Sequence, residues 1–449
     1  MEGSTQAPIR HPIPWREDDF WDQLSLDDEL RRVFDICHGC RRCFNLCDSF
    51  PQLFDLIDES ESGELDTVSS DTFPKIADSC TLCDMCFLTK CPYVPPHEFN
   101  IDFPHLMLRA RAVEVEKKGK PPFIQNQLAQ TDRNGKLGKS IGIILNFFTD
   151  INNKIFRRIL NYLIGIDYKV ILPKFDMGKP KIPSINKKGK ATNRKAVVYT
   201  SCYANYNRTE IADASLAVLA AQGVEIKVHY QECCGMPLLE QGNIEKVSFS
   251  AERISESFVE FIEDGYDVIT LTSSCALMMK YEWPLILPDN NSVKLLSENT
   301  YDIDEYIVDI SKNEGLVEGM QPVDGGISLH LACHSRAQNM GAKSNELLKL
   351  IPDADISIVE RCSGHGGTFG VLSPTHDLAR KVGKPAARQV AKVDPSFVIS
   401  SCPLASKHLS QITKEDIIKG NEKSQIKSGH PIELMAVSYG FLNKDEMSE

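Results

Sequence analysis

The chain lacks several features that define common classes of protein. It has no run of 18 apolar residues, so no helix is predicted to span a bilayer, and its N-terminus has no apolar core of the kind that a secretion signal needs. No glycine-rich dinucleotide fingerprint occurs, and no Ser-His-Asp set or carboxylate pair rises above chance. A formal net charge of −12 argues against nucleic-acid binding, which needs a concentrated basic surface.

These absences favour a cytoplasmic protein, in a reducing compartment where disulfides are rare. The length of 449 residues predicts two to four domains, and a hydrophobic content of 42% is ordinary for folded protein. Cysteine is the exceptional residue: the chain has fifteen, and the odd number further weakens a disulfide framework. We therefore expect the cysteines to bind metal.

Eight cysteines lie in two compact runs near the N-terminus, CHGCRRCFNLC and CTLCDMCFLTKCP. Three thiolates spaced two residues apart can wrap one corner of a cubane cluster, and the following helix carries the fourth cysteine to the other cluster of a pair. This pattern predicts two [4Fe–4S] clusters, one held by Cys37, Cys40, Cys43 and Cys91, the other by Cys80, Cys83, Cys86 and Cys47.

Zinc is the alternative metal for these runs, but structural zinc sites favour two CxxC pairs over three closely spaced cysteines. The first run departs from the usual pattern because Asp48 stands where a proline commonly follows the fourth cysteine, whereas Pro92 is present in the second run. That proline helps to turn the chain and is no ligand. Cluster binding therefore remains the prediction for both runs.

Apolar periodicity predicts helices beside these runs. The first covers residues 21–36, with Ser25 or Asp27 as N-cap. Its apolar positions are Leu24, Leu30, Val33 and Phe34. A wider apolar stripe predicts an amphipathic helix at 148–164, with Arg157 on its polar face. Such a helix fits packing on its own protein, docking on a partner subunit, or a membrane interface. Residues 179–195 are basic and contain proline and glycine, which predicts a linker.

The other seven cysteines form a pattern that repeats once. Three pairs align at offsets of 131, 129 and 127 residues: Cys202 with Cys333, Cys233 with Cys362, and Cys275 with Cys402. Each aligned cysteine follows a short β-rich run, and helical stretches separate these runs. Alternation of this kind predicts parallel α/β units, whose binding sites lie beyond the carboxyl ends of the strands. The duplication thus predicts that each unit brings its cysteines to one edge of a sheet.

The first copy supplies four thiols, from Cys202, Cys233, Cys234 and Cys275. They form a candidate third iron–sulfur site, where Gly235 lets the backbone approach a bulky cluster because it has no Cβ.

The second copy keeps three cysteines, Cys333, Cys362 and Cys402. Ser363 stands where the paired cysteine would be, and His334 and His365 lie nearby. Two interpretations stay open for this copy. It is either a metal site completed by histidine or serine, or a copy retained for packing.

Together, two ferredoxin-type runs and two cysteine-rich "CCG" domains resemble a known family. It includes the iron–sulfur subunits of anaerobic glycerol-3-phosphate dehydrogenase, glycolate oxidase and heterodisulfide reductase. The segments ECCGMP, YTSCYANYN and CSGHGGTFG are most similar to the first type. The resemblance implies an α+β multidomain fold, with a mainly helical two-cluster ferredoxin-like domain followed by a duplicated parallel α/β CCG-type domain. We expect boundaries at 1–135, 136–194 (amphipathic helix and linker), 195–322 and 323–449.

The resemblance also implies an electron-transfer subunit that relays electrons from a flavoprotein dehydrogenase to quinone or another acceptor, as in anaerobic respiration. Substrate oxidation then occurs on the partner chain, and the protein contacts the cytoplasmic face of a membrane peripherally. Two alternatives stay open: a heterodisulfide or thiol reductase, and a soluble electron donor to a peroxide-reducing di-iron protein. The reductase pattern ends in CxxC, whereas Met278 and Ala405 occupy the final positions here.

Overall fold

The structure is a computed structural model that describes residues 3–4, 6–185, 188–418 and 426–447. Two positions of the predicted basic linker, 186 and 187, lie outside these described residues. The chain begins with a helical part. Its helices are α1 (Asp18–Trp21), α2 (Gln23–Cys40), α3 (Ser49–Asp58), α4 (Phe73–Ser79), α5 (Met85–Thr89), α6 (Phe103–Lys118), α7 (Phe123–Ala129), α8 (Thr131–Thr149) and α9 (Lys154–Ile164). Short 3₁₀ turns at Leu65–Thr67 and Ser70–Thr72 connect α3 to α4.

The helix before the first cysteine run forms, but the predicted N-cap is wrong. Asp22 caps α2, because its carboxylate accepts the backbone N–H of Ser25 at 2.8 Å. Leu24 is 76% exposed, whereas Leu26 is buried. A start at Gln23 places Leu26, and not Leu24, on the same helical face as the buried residues of the next two turns.

The predicted amphipathic helix at 148–164 is divided in the structure. A turn at 150–153 separates α8 from α9, so the apolar stripe belongs to two helices. Arg157 is completely buried, which contradicts its expected place on a solvated face. Its guanidinium donates hydrogen bonds to the backbone oxygens of Asp167 and Val170, at 2.7 and 2.8 Å. These bonds fasten α9 to the segment that follows it.

The first α/β unit contains a four-stranded parallel sheet in the order β2-β1-β3-β4. Its elements are β1 (Lys195–Tyr199), α10 (Ser201–Tyr206), α11 (Thr209–Gln222), β2 (Glu225–Val228), α12 (Met236–Leu239), α13 (Ile244–Glu263), β3 (Asp267–Thr270), α14 (Ser273–Leu277), a π-helix (Met278–Glu282), α15 (Trp283–Ile286), α16 (Asn291–Glu298), β4 (Thr300–Asp302) and α17 (Ile303–Asn313).

The second unit repeats this topology in a parallel sheet of order β6-β5-β7-β8. Its elements are β5 (Ile327–His330), α18 (Cys333–Ala337), α19 (Lys343–Leu348), β6 (Ile356–Val359), a 3₁₀ turn (Gly367–Gly370), α20 (Ser373–Ala391), β7 (Phe397–Ile399), α21 (Pro403–Ile412), a π-helix (Thr413–Ile418), β8 (Lys427–Gly429), α22 (Pro431–Ser438) and a 3₁₀ turn (Lys444–Glu446). Two sheets with the same strand order are what an internal duplication predicts.

The helical part and the first unit share one hydrophobic core, which includes Phe34 on α2 and Trp283 on α15. The segment before α1 reinforces this contact: Ile13 donates its backbone N–H to Leu285 O, and the Trp15 indole donates to Ile286 O, both at 2.8 Å. A second core joins the two α/β units. Within the described residues, no helix combines the length and apolar character needed to cross a bilayer.

Candidate metal centres

The fifteen cysteines, all of them free thiols, lie in four groups. In the first thiol group, Cys37 interacts electrostatically with Cys40, Cys43 and Cys91. In the second thiol group, Cys86 interacts with Cys80, Cys83 and Cys47. The fourth cysteine of each run therefore lies with the other run, which is the exchange that the spacing predicts. The binding of a cluster by these groups stays a prediction.

The backbone of the second run explains how its thiols come together. Leu82 and Asp84 both adopt left-handed conformations, with φ of 47° and 62°. Such residues tighten a loop and turn successive backbone N–H groups inward, as in anion-binding nests. In this loop the N–H of Leu82 donates to the Cys80 sulfur at 3.4 Å. The conformation of this loop therefore directs a backbone N–H group toward a cysteine sulfur.

Burial makes these thiols hard to ionise. It raises the pKa of Cys83 and Cys86 well above the usual value, and neighbouring thiols raise it further. The same two causes raise the pKa of Cys43 to about 12. Several thiolates can share a buried site only when cations compensate their charge, as metal ions do when they bind cysteine. The groups therefore fit a cationic iron cluster.

The third thiol group gathers at the carboxyl ends of three strands of the first sheet. Cys202 follows β1, Cys233 and Cys234 follow β2, and Cys275 follows β3. The sulfur atoms of Cys202 and Cys233 are 3.7 Å apart. Because β1 lies between β2 and β3, this edge includes the switch point at which open α/β sheets bind ligands. Gly235 adopts a φ of 85°, a conformation that glycine accepts without strain.

The fourth thiol group consists of Cys333, Cys362 and Cys402, whose mutual repulsion adds to burial in raising the pKa of Cys333. It adjoins two other groups. Cys83 of the second group interacts with Cys333 and Cys362, and Cys402 interacts with Cys275 of the third group. The helix α18, which begins at Cys333, packs against both α5 and α14, which carry Cys86 and Cys275, so the fourth group lies between the second and the third.

In the part of the chain that the structure describes, the polar side chains of the second copy have hydrogen-bond partners for some of their polar atoms and not for others. Ser363 is buried, and its hydroxyl accepts the backbone N–H of His365 at 3.4 Å. His334 shares a hydrogen bond of 2.8 Å with the hydroxyl of Ser274, in the first unit. The ring of His365 packs 5.9 Å from that of His408. The Nε2 atoms of His334 and His365 are buried with no hydrogen-bond partner among the described residues. The packing interpretation and the metal-site interpretation of this copy therefore both stay open.

The arrangement of donors bears on the zinc alternative. Among the residues that the structure describes, no three His, Cys, Asp or Glu side chains are arranged to hold a single metal ion. Tetrahedral zinc needs its ligands to converge on one point. A cubane instead takes its thiolates at separate iron atoms. The choice of a cluster over zinc stays a prediction from the spacing of the cysteines.

One residue that contacts the third thiol group could not be predicted from the sequence. Asp132, on α8, accepts the backbone N–H of Cys233 at 2.7 Å and the hydroxyl of Tyr230 at 2.5 Å. It precedes Cys233 by 101 residues and belongs to no motif. A cavity of about 270 Å³ lies against these residues, and its wall includes Asp132, Arg133, Cys233, Lys246 and Arg253.

Two parallel α/β units of the same strand order, each with cysteines at the carboxyl ends of three strands, define a duplicated cysteine-rich α/β protein. The family model described as "CCG: Cysteine-rich domain" matches residues 196–280 and 327–409, one match in each unit. The chain therefore contains two CCG cysteine-rich domains. This confirms the resemblance inferred from the cysteine motifs.

Three relatives illustrate the similarity. One subunit of the anaerobic glycerol-3-phosphate dehydrogenase of Escherichia coli (strain K12) is 24% identical over 321 residues, which cover 70% of this chain and 77% of the relative. One subunit of the fumarate reductase (CoM/CoB) of Methanothermobacter marburgensis is 27% identical over 269 residues, or 59% of this chain and 50% of the relative. Lactate utilization protein A of Bacillus cytotoxicus is 27% identical over 187 residues, which cover 39% of this chain and 74% of the relative.

Proposed function

We propose that the chain is an iron–sulfur electron-transfer subunit of an oxidoreductase, which relays electrons from a flavoprotein dehydrogenase to quinone or another acceptor. The observation that carries this proposal is the continuous series of thiol groups. Cys86 of the second group interacts with Cys43 of the first, and the fourth group links the second to the third. Clusters in such a series offer an electron short steps through the protein.

The N-terminal helical part would act as a two-cluster ferredoxin-like domain. The first and second thiol groups would each hold a [4Fe–4S] cluster, and the third group would hold a further iron–sulfur cluster. When bound, the clusters supply one-electron redox chemistry, while the protein sets their potentials through burial, charge and hydrogen bonds. The fourth group lies where it would shorten the path between the second and third clusters.

The relatives support a function in which electron transfer and substrate oxidation are carried out by different chains. Two of them are named as subunits of a dehydrogenase and of a reductase. By analogy, the partner of this chain would be a flavoprotein dehydrogenase of the glycerol-3-phosphate dehydrogenase type, on which the substrate is oxidised. A disulfide reductase is less well supported, because Met278 is a fully buried methionine where that pattern places a cysteine.

The exposed apolar side chains of α8 and α9 indicate where the protein would contact a membrane that contains quinone. They expose Ile143, Phe147, Ile155, Tyr162 and Leu163, each more than three-fifths accessible. Apolar side chains so exposed on neighbouring helices mark an interaction surface. An amphipathic surface of this kind lies in the lipid interface without crossing it. We therefore place a peripheral membrane contact here, on the cytoplasmic face.

Anaerobic mixing tests this function. The oxidised protein is combined with a glycerol-3-phosphate dehydrogenase flavoprotein and its substrate, and the visible iron–sulfur absorption is followed. We expect bleaching that needs both additions, and recovery when a quinone is added. If the clusters are reduced only by a different flavoprotein, the proposed partner is wrong but the electron-transfer role stands. Clusters that exchange electrons with a peroxide-reducing di-iron protein, but with no flavoprotein or quinone, would support the soluble-donor alternative instead.

A further inference from the structure

The third thiol group receives a carboxylate from outside its own unit. Asp132 lies in the first turn of α8, before the first α/β unit begins, yet its Oδ2 accepts the N–H of Cys233 at 2.7 Å. Its Oδ1 accepts the hydroxyl of Tyr230 at 2.5 Å. Both carboxylate oxygens therefore accept a hydrogen bond from the loop after β2, and the two donor residues are three positions apart. This loop carries two of the four thiols.

The charge of this carboxylate has no cation in direct contact among the ion pairs of the described residues. Arg133, the adjacent residue, instead donates to Gln127 Oε1 at 2.6 Å. Glu232, the other acidic residue beside Cys233, is paired with Arg253 at 2.8 and 2.9 Å. Of the two carboxylates near Cys233, only that of Glu232 is therefore neutralised by an arginine. When it is ionised, Asp132 places a net negative charge against the third thiol group.

The second unit lacks this arrangement. At the offset of 129 residues that aligns Cys233 with Cys362, Val359 stands in place of Tyr230. A valine offers no hydroxyl to orient a carboxylate. The pair formed by Asp132 and Tyr230 therefore distinguishes the four-thiol site from its three-thiol copy, and it is a property of the site rather than of the repeat.

We propose that Asp132 is a positioning residue of the third iron–sulfur site, where it holds Cys233 in place and lowers the reduction potential of the cluster. This rests on the proposed function, since it requires a cluster on the third thiol group. A nearby negative charge makes the addition of an electron less favourable, and charge and hydrogen bonding near a cluster are established determinants of its potential. By occupying the Cys233 N–H, the carboxylate also withholds that donor from sulfur.

The test is an anaerobic potentiometric titration of the holoprotein, followed by EPR. Asp132→Asn is nearly isosteric, and its amide oxygen still accepts the Cys233 N–H. We expect its third-cluster midpoint to move to a more positive potential while the other two clusters keep theirs. Asp213→Asn is the matched control, because it removes the same charge from a carboxylate whose hydrogen-bond partner is the N–H of Lys181. We expect no shift in the control.

Other outcomes are equally decisive. An unshifted third cluster in Asp132→Asn, or an equal shift of all clusters, overturns the inference and leaves the proposed function standing. A wild-type protein with no third cluster overturns the inference and the third-cluster part of the proposed function, whereas electron transfer through the two cubanes is decided by the mixing experiment. If Asp132→Asn loses only the third cluster, the positioning role is supported. Tyr230→Phe then tests the charge: without the phenol donor, the carboxylate is less neutralised, and the midpoint should move to a more negative potential. No movement in that variant overturns the electrostatic role.

Discussion

The guanidinium of Arg10 lies 2.8 Å from the carboxylate of Asp84, a residue inside the second cysteine run. The same guanidinium contacts Asp102 at 2.8 Å and Glu282 at 3.2 Å. One cation therefore joins the N-terminal segment, the cysteine loop, the start of α6 and the first α/β unit. All four side chains are largely buried, so this ion-pair network is poorly screened by solvent.

Replacing Arg10 with Ala should destabilise the protein strongly, because Asp84 loses its guanidinium partner and Asp102 and Glu282 keep only His105, at 3.4 and 3.1 Å. Removal of one partner from a buried ion pair costs about 3–5 kcal/mol. The measurement is the thermal unfolding midpoint of the anaerobic holoprotein. Arg32→Ala is the control, since Arg32 pairs with Glu29 at an exposed position and such pairs contribute less than about 1 kcal/mol. Equal midpoints for the two variants would contradict the role of Arg10.

Removal of single cysteines tests the exchange between the two runs. Cys91→Ala should lose the cluster of the first thiol group and keep that of the second, because Cys91 lies with Cys37, Cys40 and Cys43. Cys47→Ala should do the reverse. Iron analysis and EPR of reduced samples distinguish the two outcomes. If each variant instead lost the cluster of its own run, the fourth cysteine would belong to that run and the assignment of ligands would be wrong.

Acid should destabilise the protein through His430, which caps α22. The imidazole is completely buried, and its Nδ1 accepts the N–H of Ile432 at 3.2 Å. Burial lowers the pKa of His430 to about 3, whereas an unfolded histidine titrates near pH 6.5. Between these two pH values, His430 therefore binds a proton in the unfolded state but not in the native state. Stability is kept above about pH 6.5 and falls as the pH drops toward 3, by about 2 kcal/mol at pH 5.

His430→Asn isolates this contribution, because asparagine is a favoured N-cap and does not titrate. The difference between the thermal midpoints at about pH 7.5 and pH 5 should be smaller in the variant than in the wild type. Both proteins share every other acid-sensitive group, so the comparison cancels the acid lability of the clusters. An identical pH dependence would show that His430 is not the residue responsible.

The exposed apolar surface on α8 and α9 predicts binding to lipid. The protein should float with vesicles that contain anionic phospholipid, since Lys154 and Arg158 are exposed beside the apolar residues. Ile143→Glu combined with Leu163→Glu should abolish flotation without changing the visible spectrum of the clusters. Leu24→Glu, at an exposed position on α2, should leave flotation intact. Failure of the wild type to float would contradict a membrane contact.

Local patterns in the sequence were sufficient to predict much of the fold. The six β-rich runs before the aligned cysteines became β1, β2, β3, β5, β6 and β7. The inner strands β1, β3, β5 and β7 are buried apolar segments, as parallel strands usually are, whereas β2 and β6 are partly exposed edge strands. Two strands were not anticipated. Thr300–Asp302 and Lys427–Gly429 are three residues each and carry no apolar run, so only pairing with β3 and β7 makes them strands.

What the sequence could not show depends on contacts between distant residues. Periodicity cannot reveal that Arg157 is buried, since its partners are backbone oxygens of a later segment. Asp132 was missed for the same reason: it reaches Cys233 only after α8 packs on the first unit. The grouping of thiols was easier to predict, because ligands two or three residues apart are constrained by the loop that carries them.

The most direct test of the account is the metal content and redox behaviour of the full chain, purified without oxygen. We predict iron with acid-labile sulfide, about eight iron atoms from two cubanes before the third cluster is counted, and several reducible EPR signals with separate midpoints. Zinc without sulfide, or iron without a reducible cluster signal, would contradict the account.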